Sequence, residues 1–139
     1  YISHLWQEGD TLLLTLPMPV RRIYGNPLVR HQAGQVAVQR GPLVYCLEQA
    51  DNGEQLHNLQ LPRDARFITV EGKGIFARKI LLQAPGYKQP PEDPEHQPLW
   101  LYHPPPPSRQ PHLLTFIPWF SWANRGEGEM RIWVNEAEA

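Results

Sequence analysis

Sixteen prolines are spread through the 139 residues, well above the usual ~5%. Each one fixes φ and removes a backbone donor, so proline at this density rules out long helices over most of the chain. The remaining sequence is made of short apolar–polar alternations between turn signals, which is the pattern of β-strands. The chain is therefore expected to be all-β.

Several stretches carry this expectation. In "DTLLLTLPMPV" (Asp10–Val20), Leu12, Leu14 and Leu16 alternate with Thr11, Leu13 and Thr15, and Pro17 and Pro19 end the run. "VRRIYGNP" (Val20–Pro27) is a second short strand closed by a Gly-Asn-Pro turn. "GQVAVQRGPLVYCLE" (Gly34–Glu48) is the clearest strand region. Its Gly41-Pro42 interruption is expected at a bulge, bend or edge, such as the corner where a strand leaves one sheet for another. Phe67–Val70 and Ile75–Leu82 flank a Gly72-Lys73-Gly74 turn, and a short strand is expected at Leu99–Tyr102 inside the proline-rich stretch Pro85–Pro111. "HLLTFIPWFSWAN" and "EMRIWV" are expected as two closing strands joined across Asn124–Gly128.

Composition narrows the function. Thirteen basic and fourteen acidic residues leave a net charge of −1 with no long block of either sign, which argues against nucleic acid or an anionic membrane as the main partner. No apolar run approaches the ~18 residues of a membrane span. The single cysteine, Cys46, permits no internal disulfide framework. The six histidines are scattered without H-x-x-x-H, H-E-x-x-H or C-x-x-C spacing, so no zinc motif is present.

The aromatic-rich end, "TFIPWFSWANRGEGEMRIW" (115–133), raises three readings: core packing first, a domain or subunit interface second, a sugar platform third. The tryptophans available for an interface or platform are Trp100, Trp119, Trp122 and Trp133. In an extended chain Phe116, Phe120 and Trp122 would share one side, and Ile117 and Trp119 the other. Glu127 and Glu129 lie two residues apart, roughly 6.5–7 Å between Cα atoms if extended. That likeness to an inverting glycosidase pair is weak, because such acids must flank the bond from opposite sides. A solvated turn with one Glu bridged to Arg125 or Arg131 is the stronger expectation. Cys46 is expected as a buried, inert thiol.

Three blocks together carry a resemblance: Trp6–Pro27, "VAVQRGPLVYCLEQADN" (Val36–Asn52) and "IPWFSWANRGEGEMRIWV" (Ile117–Val134). In this order they resemble the C-terminal β-sandwich region of glycoside hydrolase family 127, which includes β-L-arabinofuranosidases, and the resemblance implies an antiparallel β-sandwich of jelly-roll-like form within a larger multidomain enzyme. The resemblance implies an active site elsewhere, in an upstream (α/α)6 barrel, where a cysteine thiolate attacks from a zinc site of three cysteines and a glutamate, and another glutamate serves as acid/base. With one cysteine, in a strand motif outside those positions, this chain receives no catalytic or metal-binding residue. It implies a non-catalytic accessory domain that needs no cofactor of its own, with zinc in the catalytic domain. The implied partners are the upstream barrel and a second copy in a homodimer, and the alternative role is a carbohydrate-binding module.

Tyr1 is not a translation start, so the sequence reads as part of a longer polypeptide. The resemblance divides it into residues 1–18, the last strand of a preceding β-sandwich, and residues 19–139, the C-terminal sandwich with its excursion at 85–111. An apolar strand cut from its sheet seeks another edge. Light scattering on the 139-residue chain is therefore expected to give a mass above the monomer's 16.1 kDa; a strict monomer with residues 11–16 well ordered would contradict this.

Overall fold

The computed structural model describes residues 1–89 and 109–138. Among the described residues nine strands carry the fold: β1 (Val20–Tyr24), β2 (Gln35–Arg40), β3 (Leu43–Glu48), β4 (Leu59–Pro62), β5 (Ile68–Glu71), β6 (Ile80–Lys88), β7 (Gln110–Pro118), β8 (Met130–Arg131) and β9 (Val134–Ala137). One turn of α-helix, α1 (Gln49–Asn52), follows β3 directly.

The strands form one continuous sheet rather than two separate layers. β2, β9, β4, β6, β7 and β3 each pair with the next, and β3 pairs back to β2, closing a circuit of six. β1, β5 and β8 are added to the edges of β2, β6 and β3. The chain is thus all-β as expected, but closed like a barrel, and the β4–β9 pairing is parallel. Alternation predicts which side chains point inward; it does not distinguish the inner face of a sandwich layer from the inside of a barrel. At β2 the two ends of the circuit meet. Val36 pairs with Tyr24 and Val134, while Val38 pairs with Arg22 and Tyr45. β9 and β3 therefore occupy successive lengths of one edge of β2, and β1 holds the other.

Inside the ring the period-two pattern is strict. Val36 and Val38, Tyr45 and Leu47, Leu59 and Leu61, Leu82 and Ala84, Leu114 and Phe116, and Val134 are buried together, joined by Leu56. The Tyr45 hydroxyl satisfies itself by donating to the Ile80 carbonyl at 2.8 Å. A smaller apolar layer lies on the opposite face of β3 and β7, where Cys46 and Ile117 pack under Phe76 with Leu81, Met130 and Ile132.

Several expectations change in detail. Gly41-Pro42 is a two-residue hairpin, not a corner: Arg40 pairs with Leu43, and Gly41 sits at φ +55°, as the first central position of a type II′ turn requires. The corner falls instead at Ile132-Trp133, where the chain leaves β3 and continues between β2 and β4. Asp10–Pro19 forms no ladder, and Leu12, Leu13, Leu14 and Leu16 are exposed, because alternation supplies propensity but not a partner edge. Both ends of the Pro85–Pro111 stretch lie in strands, with Pro85 opposite Leu113 and Lys88 opposite Gln110. Pro85 fits because β5 pairs with β6 up to Gln83 and β4 only from Tyr87, leaving that edge without a ladder to interrupt. The strand expected at Leu99–Tyr102 falls outside the described residues. β7 and β8 are not a hairpin; they flank opposite edges of β3, where Leu47 pairs with both Phe116 and Arg131.

Phe116 and Leu113 are a matched test on β7, one fully buried and one exposed. Phe116→Ala is expected to cost about 3–5 kcal/mol in urea unfolding, and Leu113→Ala about 0.5 kcal/mol or less.

Candidate functional site

The two most distinctive sequence blocks meet in space. β3 runs straight into α1, and Asn52 fastens that turn to β7: its amide donates to the carbonyls of Glu48 at 3.0 Å and Thr115 at 2.9 Å, and its oxygen accepts from Thr115 N–H at 2.9 Å. Glu48 and Asp51 are thereby directed at the loop that follows β7. Arg125 of that loop donates from Nε to Glu48 at 3.0 Å and from Nη1 to Asp51 at 2.7 Å, while its Nη2 reaches both carboxylates. The other Glu48 oxygen accepts Ala123 N–H at 2.9 Å. The guanidinium lies 4.7 Å from the Phe76 ring centre. The bond to Asp51 is the chief influence on Arg125; with Glu48 it outweighs the cost of burial and raises the pKa.

Glu129 ties down the far end of the same loop. Its two oxygens accept the N–H groups of Gln55 and Leu56, both at 2.8 Å. Its backbone exchanges hydrogen bonds with Gln49, each 2.9 Å. The carboxylates also hold unusual backbone: Gln55 (φ 58°) and Ala123 (φ 62°) are in the left-handed region, which costs about 1–3 kcal/mol for a residue with a side chain. Each donates its N–H to one of these acids.

This arrangement fastens loops and is poorly suited to bond cleavage. Leu56 and Gln55 N–H lower the pKa of Glu129, whereas a glycosidic acid needs a raised one. Glu129 is not bridged to Arg125 or Arg131: Arg125 belongs to Glu48 and Asp51, and Arg131 donates to the Trp133 carbonyl at 2.6 Å. Cys46 is fully buried, and its thiol is pushed up to about 12, first by burial and then by Glu48 and Asp51, against the opposing pull of Arg125. Among the described residues no three His, Cys, Asp or Glu side chains gather as a metal site, so these residues do not fit a zinc–thiolate centre.

The aromatic stretch divides. Phe116 and Ile117 are buried on opposite faces of β7, but the strand stops at Pro118 and a 3-10 turn covers Trp119–Ser121. Core packing is therefore interrupted after Pro118 and resumes only at Met130 and Ile132: Trp119, Phe120 and Trp122 are 48%, 57% and 38% exposed. Trp122 N–H closes that turn on the Trp119 carbonyl at 3.2 Å, so the two tryptophans bracket it and the alternation expected of an extended chain does not hold there. Lys79 Nζ lies 5.7 Å from both the Phe76 and Phe120 ring centres. Trp133 is half-buried at the corner before β9, and Trp100 lies outside the described residues.

A second polar cluster, unrecognised in the sequence, sits across β1, β4 and β9. Glu136 accepts from the Tyr24 hydroxyl and from Arg63 Nε, each at 2.7 Å, with Arg22 at 3.6 Å. Burial works against ionisation of Glu136, but Tyr24, Arg63 and Arg22 outweigh it and the pKa is lowered. Arg22 also donates to the carbonyls of Pro62 and Ala65 at 2.6 and 3.2 Å. A cavity of about 320 Å³ opens beside the group, lined in part by Tyr24, Pro27, Val29, Arg63 and Glu136. No local signal could have revealed it, since Tyr24 and Glu136 are 112 positions apart.

A family model described as the glycoside hydrolase family 127 C-terminal domain matches residues 20–135. The chain belongs to glycoside hydrolase family 127. It is 40% identical over 131 residues to the non-reducing end β-L-arabinofuranosidase of Bifidobacterium longum subsp. longum, spanning 89% of this chain and 20% of that protein. Among solved structures it is similar to a family 127 β-L-arabinofuranosidase from Geobacillus stearothermophilus T6, with TM-score 0.75 and 43% identity over 87% of this chain and 19% of the other. It is also similar to a family 127 β-arabinofuranosidase with TM-score 0.71 and 28% identity, over 86% and 17% of the two chains. The chain thus spans about a fifth of the length of these family 127 relatives.

Because the Glu129 carboxyl is more acidic folded than free, its stabilising effect is complete above the ordinary value of 4.5 and is lost as pH falls through the lower folded value. The amide resonances of Gln55 and Leu56 are expected to titrate together with a midpoint below 4.5, and Glu129→Gln is expected to remove that titration.

Proposed function

We propose that this chain is a non-catalytic accessory domain of a β-L-arabinofuranosidase-like glycoside hydrolase, packed on the catalytic region of its own polypeptide. The observation that carries this reading is the full engagement of the loop's best-placed acids: Glu48, Asp51 and Glu129 are committed to Arg125 and to backbone N–H groups. Acids spent on holding loops are not available to transfer protons to a glycosidic oxygen. The small share of each relative that the chain covers supports the same reading. The catalytic region is proposed to be an upstream (α/α)6 barrel, and the zinc chemistry of the family resides there. Residues 1–18 are proposed as the last strand of a preceding sheet, supported by their unpaired, exposed leucines. A second copy remains a candidate partner.

A carbohydrate-binding module is the competing reading, favoured by the exposure of Trp119 and Trp122 at the two ends of one turn.

The 139-residue chain is expected to release no arabinose from an aryl β-L-arabinofuranoside, and Glu127→Gln and Glu129→Gln in the complete enzyme are expected to leave kcat unchanged. Turnover by the chain alone, lost on replacing either glutamate, overturns the reading.

A further inference from the structure

The loop after β7 combines features that ordinarily oppose one another. Trp119, Phe120 and Trp122 put three large rings into solvent, yet the backbone beneath them is held unusually firmly. Trp122 N–H closes the 3-10 turn on Trp119 at 3.2 Å, Ala123 is fixed in a left-handed conformation by Glu48, and Arg125 and Glu129 anchor the rest. A loose loop would fold its rings back onto the barrel, whereas this one is held open. Rings presented on backbone that is already ordered lose little entropy when covered, which is the requirement for an anchor at an interface. Lys79 links the exposed rings to packed protein, since its Nζ lies 5.7 Å from the ring centres of both Phe120 and Phe76, and Phe76 belongs to the outer layer with Cys46 and Ile117.

The geometry points to the Trp119–Trp122 turn as the anchor by which this domain seats on the remainder of its own polypeptide. The inference rests on the accessory-domain reading and names its docking surface. Protein fits this surface better than sugar. A sugar site needs unspent polar groups to hold hydroxyls beside the rings, and the charged side chains fastening this loop are committed to one another and to backbone. The same polypeptide fits better than a second copy, because a tethered partner is present at millimolar effective concentration and the relatives carry about four-fifths of their length outside the matched region.

Hydroxyl-radical footprinting of the complete polypeptide reads this directly, residue by residue. Trp119, Phe120 and Trp122 are expected to be protected to the level of buried Tyr45, while exposed Leu113 and Ile68 are oxidised. In the same polypeptide, Trp119→Ala with Phe120→Ala is expected to split one thermal transition into two without changing the circular dichroism of the folded state. Oxidation of the three aromatics at the rate of Leu113 overturns the inference. So does protection that grows with protein concentration, which assigns the surface to a second copy, and so does protection appearing only with added L-arabinose, which assigns it to sugar. Failure of the accessory-domain reading would appear separately, as turnover by the 139-residue chain.

Discussion

Val134–Ala137 is the strand on which the architecture closes. It pairs antiparallel with β2 and parallel with β4, and neither pairing is local: Asn135 pairs with Gln35, 100 positions away, and with Gln60, 75 positions away. Without this strand the leucines of β4 would lack a wall on that side, and β2 would end half-paired. Its inward Val134 completes the apolar interior, while Glu136, two residues on, binds Tyr24 and Arg63. One short strand therefore closes the ring and ties β1 and the turn after β4 to it.

The same economy governs the loop between β7 and β8. The residues that make the chain's sequence distinctive, Glu48, Asp51, Arg125 and Glu129, serve to hold one loop against one helical turn. Paired charges with little exposure are weak evidence for stability, since desolvation offsets much of their attraction. They are strong in geometry, because a guanidinium bonded to two carboxylates has few alternative poses. The consequence is positional: the backbone of Ala123 is fixed and the rings of Trp119, Phe120 and Trp122 face outward.

How much of this was legible depends on range. The inward residues of β2, β3 and β7 follow from alternation, and the Gly25-Asn26-Pro27 and Gly72-Lys73-Gly74 breaks mark real chain reversals. The closing hairpin was misread because an unbroken aromatic run gives no local sign that the strand stops at Pro118. Arg125 and Arg131 offer Glu129 an ion-pair partner close in sequence, whereas the groups it binds, the N–H of Gln55 and Leu56, lie more than seventy positions away.

The amino-acid sequence by itself determined the all-β class and the two-residue period of the interior. Proline density and side-chain alternation act over a few residues, and so they are visible there. Only the tertiary structure decided that the sheet closes, that Arg125 belongs to Glu48 and Asp51, and that the tryptophans after Pro118 face solvent. Those outcomes depend on which distant edge or charge arrives alongside, and strand register, rather than local preference, determines that.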